Sequence, residues 1–293
     1  MEFLRPGSWP EALAAKAEYP EALPLAGGTD VMVELNFDQR RPPQLLDLGR
    51  VAELAEWEED GDAVRLGATV PYTRVIGELA DPLPALALAS RTVGSPQIRN
   101  RGTVGGNLGA ASPAGDCHPA LLAAGSEVEV ESVRGSRLIP VEEFFTGVKR
   151  HALAEDELIR AVRVRRATGP QQFSKVGTRN AMVIAVCAFA VALRPDERSV
   201  RAGIGSAAPT PVRAREAEEF LAGALEEQDA WHRLDPLPDS LVRRFGELAA
   251  RDCRPIDDVR GSADYRRHAV SVMARRTLGW TWDAYRQGER QCV

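Results

Sequence analysis

Two pairs of adjacent glycines constrain this chain more than anything else in it. Gly27-Gly28 lies in LAGGTD, Leu25 to Asp30, and Gly105-Gly106 lies in GTVGGN, Gly102 to Asn107. Each pair follows a short apolar approach and leads to a polar side chain. Glycine tolerates positive φ, so a strand entering such a pair can turn sharply. Successive N–H groups then point into one concavity that attracts phosphate, and Thr29 adds a hydroxyl donor. One such pair reads as an ordinary turn. Two in one N-terminal region predict a clamp that grips a diphosphate from two sides. Main-chain amides spread the charge over several donors, so neither loop needs a lysine or arginine.

The second pair sits inside RNRGTVGGNLGAASPAGDCHP, Arg99 to Pro119, which carries Asp116 near its end. Two roles stay open for Asp116. Local chemistry makes it the N-cap of a helix containing HPALLA, with Pro119 still in the first turn. A nucleotide reading makes it an acceptor for ribityl or ribose hydroxyls, and a carboxylate has oxygens for both. A third glycine motif, GIGSAA from Gly203 to Ala208, fits the dinucleotide fingerprint in letters only. That fingerprint must open a helix, and Pro209 and Pro211 follow at once, so a strand ending in a turn is the expectation.

Around these motifs the chain alternates short elements. SWPEALAAKAEYP predicts an opening helix with Ser8 as N-cap, Pro10 in the first turn and Glu11 in capping-box position. QLLDLG and AVRLGATV read as short strands. YTRVIGELADPLPALALASRTVG reads as helical, interrupted near Pro82 and Pro84. PALLAAG is a short helix stopped by Gly125. SEVEVESVRGSRLIPV alternates Val128 and Val130 against Glu127, Glu129 and Glu131, which predicts a hairpin turning at Arg134-Gly135 with one wet face. DELIRAVRV is a further strand. The apolar run Met182 to Leu193 reads as a buried strand, with a helix segment as the alternative that periodicity does not separate. Arg194-Pro195-Asp196 turns it into a return strand. Helical stretches near 213–221, 238–251 and 262–278 follow, so the C-terminal part is expected to be α+β, a sheet with helices on one face.

Composition narrows the function classes. A chain of 293 residues suits about two domains, and 44% hydrophobic residues support a real core. The formal net charge of -5 argues against a surface that tracks nucleic-acid phosphates. Cys117, Cys187, Cys253 and Cys292 are scattered without a CxxC spacing, which fits neither a disulfide framework nor a metal cluster held by this chain. His118, His151, His232 and His268 show no metal spacing either and read as structural or surface residues. There is no apolar leader and no run of the ~18 residues a membrane span needs, so the expectation is a cytoplasmic protein.

AGGTD, GSPQIRNRGTVGGNLGAASPAGD, FSKVGTRNAM and GSADYRRHA together resemble the FAD-binding medium subunit of the molybdenum hydroxylases, the family of xanthine and carbon monoxide dehydrogenases. The resemblance runs along nearly the whole chain in the right order. It implies an α+β chain with a two-part FAD-binding region of the vanillyl-alcohol-oxidase type over 1–170, dividing near 55, and a C-terminal α+β domain over 171–293. It assigns Leu25, Ala26, Gly27, Gly28, Thr29, Asp30, Val31 and Met32 to one FAD pyrophosphate loop. Thr103, Val104, Gly105, Gly106 and Asn107 form the other. Asp116 matches an aspartate that meets the FAD polar chain, and Ile159 a position beside the flavin or adenine. Lys175 matches a lysine near the flavin ring, where a cation favours the anionic reduced flavin. On its own residues Lys175 reads as an exposed strand-end lysine.

The same resemblance implies an oxidoreductase subunit that passes electrons from iron–sulfur centres through FAD to NAD+, a quinone or oxygen. Molybdopterin and [2Fe–2S] are expected on a large and a small partner subunit. Two departures matter. Val93 stands where some xanthine-oxidising relatives place an aromatic ring, and the inserted cysteine cluster of aryl-CoA-reducing relatives is missing. Two alternatives remain: a stand-alone flavin oxidoreductase acting on NADH or a small substrate, and a binding module that has lost FAD.

Overall fold

The computed structural model describes residues 1–291, with side chains through 288, so Cys292 lies outside the described residues. The chain opens as a small parallel sheet in which Gln44–Asp47 is the centre, flanked by Glu2–Leu4 and Leu23–Leu25. The helix Trp9–Glu18 covers it. Ser8 Oγ accepts from the Glu11 amide at 3.4 Å, and Glu11 Oε2 accepts from the Gly7 amide, so the expected capping box closes one residue early. Trp9, Leu13, Leu46 and Leu54 form the core beneath that helix.

An antiparallel sheet of five strands follows, in the spatial order Trp57–Asp60, Ala63–Gly67, Leu158–Arg165, Glu127–Ser132, Gly135–Pro140. The expected hairpin is its edge, paired from Glu127↔Pro140 to Ser132↔Gly135, so Val133 and Arg134 make the turn. Val128 and Val130 are fully buried. The opposite face is less wet than expected. Glu129 takes a bidentate bond from Arg65, at 2.7 and 2.9 Å, and Glu131 meets Arg160 at 2.5 Å across the neighbouring strand. Helices Tyr72–Glu78 and Pro84–Arg91 break where the prolines sit, as the sequence requires.

The last sheet is antiparallel, in the order Gln171–Val176, Cys187–Arg194, Ser199–Gly205, Val212–Arg213. The apolar run is a strand, but only from Cys187. Met182 turns the chain at φ 51°, and Met182 and Ile184 stay exposed. All eight residues of Cys187–Arg194 are buried, because this sheet is covered on both faces rather than one. Ala188, Ala190 and Ala192 face the core shared with helices Pro84–Arg91 and Cys117–Ala124. Phe189, Val191 and Leu193 face the core of the C-terminal helices Arg215–Glu227, Asp239–Arg251 and Ala263–Gln291. Small residues on one side let a helix approach closely, and large ones on the other fill a deeper core. The GIGSAA segment belongs to this contact. A Cβ on Gly203 would lie 2.3 Å from the carbonyl oxygen of Pro119, so the glycine admits the helix and no fingerprint helix follows. Among the described residues, no helix is long and apolar enough to cross a membrane.

Candidate functional site

The strand Leu23–Leu25 ends in Ala26, Gly27 and Gly28, and the chain turns at Gly28 with φ +77° into the helix Val31–Asn36. Leu25, Ala26, Thr29 and Val31 are half-buried there, while Asp30 and Met32 are exposed. The second glycine pair is built differently from the first. Thr103 is the N-cap of the helix Val104–Ala110, and Gly105 and Gly106 lie in its first turn rather than in a left-handed bend. Thr103 Oγ1 accepts from the Gly106 amide at 2.8 Å. Within that turn the Val104 and Gly105 amides are the ones a helix start leaves without intrahelical acceptors.

The two turns meet. A Cβ on Gly27 would lie 1.8 Å from the Arg101 carbonyl oxygen and 3.0 Å from the Gly102 nitrogen. A Cβ on Gly106 would lie 3.9 Å from that of Ala26. Glycine at 27 is therefore a condition of main-chain contact between segments far apart in sequence. Gly105 has the same meaning toward a third segment, since its Cβ would stand 2.5 Å from the Ala68 carbonyl oxygen.

Tyr72 ties these turns to Asp116. Its amide donates to the Gly102 carbonyl at 3.0 Å, and its ring packs under Gly102. Burial pushes its hydroxyl well above the ordinary range, and Cys117, Asp116 and Asp30 add to that. His118 closes the same side, with Nε2 3.3 Å from the Asn107 carbonyl oxygen. Burial drops its imidazole to about 4, so it is neutral.

Asp116 stands at the N-cap position of the helix Cys117–Ala124, but its carboxylate makes no capping bond. The capping expectation is thus corrected: Oδ2 is held elsewhere, by Lys175 Nζ at 2.6 Å and Thr92 Oγ1 at 3.2 Å. Lys175 also donates to the Thr92 carbonyl at 3.2 Å. The Lys175 side chain is 7% exposed and that of Asp116 9%, so Lys175 is no surface lysine but half of a buried ion pair. Desolvation raises the Asp116 carboxyl above its usual range, while Lys175 and Thr92 pull it back. Asp116 Oδ1 and the half-buried Asn107's Oδ1 are both buried without a donor. Ile159, at a bulge in the central strand, reaches to 3.8 Å from a Cβ on Gly109 of the glycine-rich helix. Val93 packs half-buried against the core next to Thr92. Sequence reasoning missed Thr92, Tyr72 and Ala68. Only Tyr72, following Pro71 at a helix start, left a visible signal.

The site offers two amide-rich turns in contact, with buried acceptors beside them that need O–H donors. Such a set fits a dinucleotide with a diphosphate and a polyhydroxyl chain. The comparisons with known proteins agree. Residues 1–166 match the model of the FAD binding domain in molybdopterin dehydrogenase, and residues 172–281 that of the CO dehydrogenase flavoprotein C-terminal domain. The chain is similar to the nicotine 6-hydroxylase medium subunit of Paenarthrobacter nicotinovorans, 32% identical with 87% of each chain covered. It is 30% identical to a putative xanthine dehydrogenase FAD-binding subunit of Escherichia coli, over 92% of this chain and 91% of that one. Among solved structures, carbon monoxide dehydrogenase from Hydrogenophaga pseudoflava superposes with a TM-score of 0.88 at 29% identity, covering 97% and 98% of the two chains. The chain belongs to the family of FAD-binding medium subunits of the molybdenum hydroxylases.

Proposed function

We propose that this protein carries FAD between its two glycine turns. In a complex with a molybdopterin-binding large subunit and a [2Fe–2S] small subunit, it would collect electrons from the iron–sulfur centres and deliver them to NAD+, a quinone or oxygen in the cytoplasm. Bound there, FAD supplies the exchange between one-electron and two-electron chemistry. The chain's own residues bind and orient. Amides of Gly27, Gly28, Val104 and Gly105 neutralise a diphosphate without any long side chain to order. Thr29 adds a hydroxyl, and Ala26, Asp30, Val31 and Met32 shape the first turn with Leu25 behind them. Thr103 holds the second turn by binding the Gly106 amide. Asp116 Oδ1 and Asn107 Oδ1 accept from hydroxyls of the polar chain. Lys175, fixed by Asp116 and Thr92, presents a desolvated cation near the flavin ring, and Ile159 lies beside the flavin or adenine.

The observation that supports this reading is the main-chain contact of Gly27 with Arg101 and Gly102, which brings the two glycine turns together. The test is reconstitution. The purified chain is expected to take up one FAD per chain. It should show dye or NAD+ turnover with substrate only when the two partner subunits are present. Equal turnover of NADH by the isolated, FAD-loaded chain would assign it to stand-alone flavin chemistry instead.

A further inference from the structure

The helix Cys117–Ala124 has Asp116 at its N-terminal end. At its other end, about 12 Å away by helix rise, lies a cavity of about 380 Å3 that the reading above does not use. Its walls come from the five-stranded sheet, from the C-terminal sheet and from the segment after the helix. Most charges in it are already matched. Arg163 meets Asp60 at 2.8 Å, Arg165 meets Glu197 and Asp62, and Glu142 is shared by Arg213 and Arg215 at 3.1 and 2.7 Å.

Arg201 is the exception. Among the described residues no carboxylate lies within 4.0 Å of its guanidinium, and its single hydrogen bond is a long one, 3.5 Å, to the Leu122 carbonyl. Its Nε is buried and donates to nothing. That long bond is only a weak cap of the helix, whose end Arg194 already holds by donating to the Ala124 carbonyl. Burial, with Arg213 and Arg194 close by, lowers the Arg201 guanidinium to about 10, and Glu218 and Glu142 pull it partly back. Ser126 lines the same cavity. It is 3% exposed, and its Oγ has no partner either. A buried donor without an acceptor is costly, and here two such groups share a space of ligand size.

We propose that this cavity is a binding site for a small oxyanion, a carboxylate or a phosphate, held by Arg201 Nε–H and the Ser126 hydroxyl. The anion would give both groups the acceptor that the protein does not supply.

The test uses the full chain and two probes, inorganic phosphate and acetate, against chloride at equal ionic strength. Calorimetric titration of the wild type is expected to show saturable binding of at least one probe. R201Q and S126A should each weaken it about tenfold or more, as expected for a lost charge-assisted bond. R201K should fall between. A preference for phosphate or for acetate identifies which group the natural ligand carries. Because phosphate can also meet the glycine turns, crystals soaked in tungstate locate the anion directly by anomalous scattering, with density expected between Arg201 and Ser126. Identical isotherms in wild type and S126A, or only water at Ser126 in the soaked crystals, would overturn the proposal. S126A decides the matter even if R201Q fails to fold.

Discussion

At the scale of single residues, the Asp116–Lys175 pair dominates. Two charges this deep offset each other only while both are present. Removing one leaves the other buried and unpaired, at a cost of about 3–5 kcal/mol. Lys175→Met and Asp116→Asn are each expected to lower the unfolding free energy obtained from urea titration by that amount. The double variant should recover part of the loss, and both singles should bind FAD more weakly than wild type. If the double variant loses the sum of the singles, the two side chains act independently. His118 gives a pH dependence with a definite sign. Its folded-state value of about 4 lies below the ordinary 6.5. Its neutral, buried form therefore contributes stability that is fully present above pH 6.5 and is lost as the pH falls toward 4. The loss is roughly 3 kcal/mol by linkage. Denaturant midpoints measured from pH 7 to pH 4 should fall steeply in wild type and less steeply in His118→Phe. The pair itself was not legible in the sequence. Asp116 was singled out, but local rules made it a cap, and nothing near Lys175 announces that it folds onto a carboxylate in another segment.

At the scale of elements, the glycines differ in what they permit. Gly27→Ala would drive a methyl group into the Arg101 carbonyl, and Gly105→Ala into the Ala68 carbonyl, both backbone atoms that cannot step aside. Gly106→Ala would meet only the Thr103 hydroxyl at 3.0 Å and a methyl at 3.9 Å. FAD occupancy of the purified variants should therefore rank Gly106→Ala near wild type, with Gly27→Ala and Gly105→Ala nearly empty. Thr103→Ala should cost about 0.5–2 kcal/mol as a lost helix cap. Equal occupancy for all three glycine variants would separate the cradle from the cofactor. The existence of two glycine turns was legible, because glycine pairs after apolar approaches are local signals. Their different construction was not. Whether Gly105-Gly106 forms a left-handed bend or a helix start depends on Ala68, which no local pattern ties to it.

At the scale of the whole molecule, one strand joins the halves. Cys187–Arg194 sends alanines toward the glycine-turn side and large side chains toward the C-terminal helices. Ala190→Leu would add bulk where a helix is already packed close, at about 1–3 kcal/mol for overpacking. It should loosen FAD retention although residue 190 lies in another sheet from either glycine turn. Because the cores share this strand, tryptophan fluorescence and far-UV circular dichroism should report one coincident unfolding transition. Two separated transitions would mean that the halves are held together less tightly than this packing requires. The sequence showed the strand as an unbroken apolar run. Its alternation of small and large residues carried the information that both faces are covered, but apolarity alone hid that alternation.

The interlock of Gly27 with Arg101 and Gly102 also sets an order of events during synthesis. When the first bend leaves the ribosome its counterpart has not yet been translated, and the surface it will close against does not exist. A nascent chain that ends before Gly106 lacks the second turn, so under the proposed function FAD loading is expected only after that turn has been made.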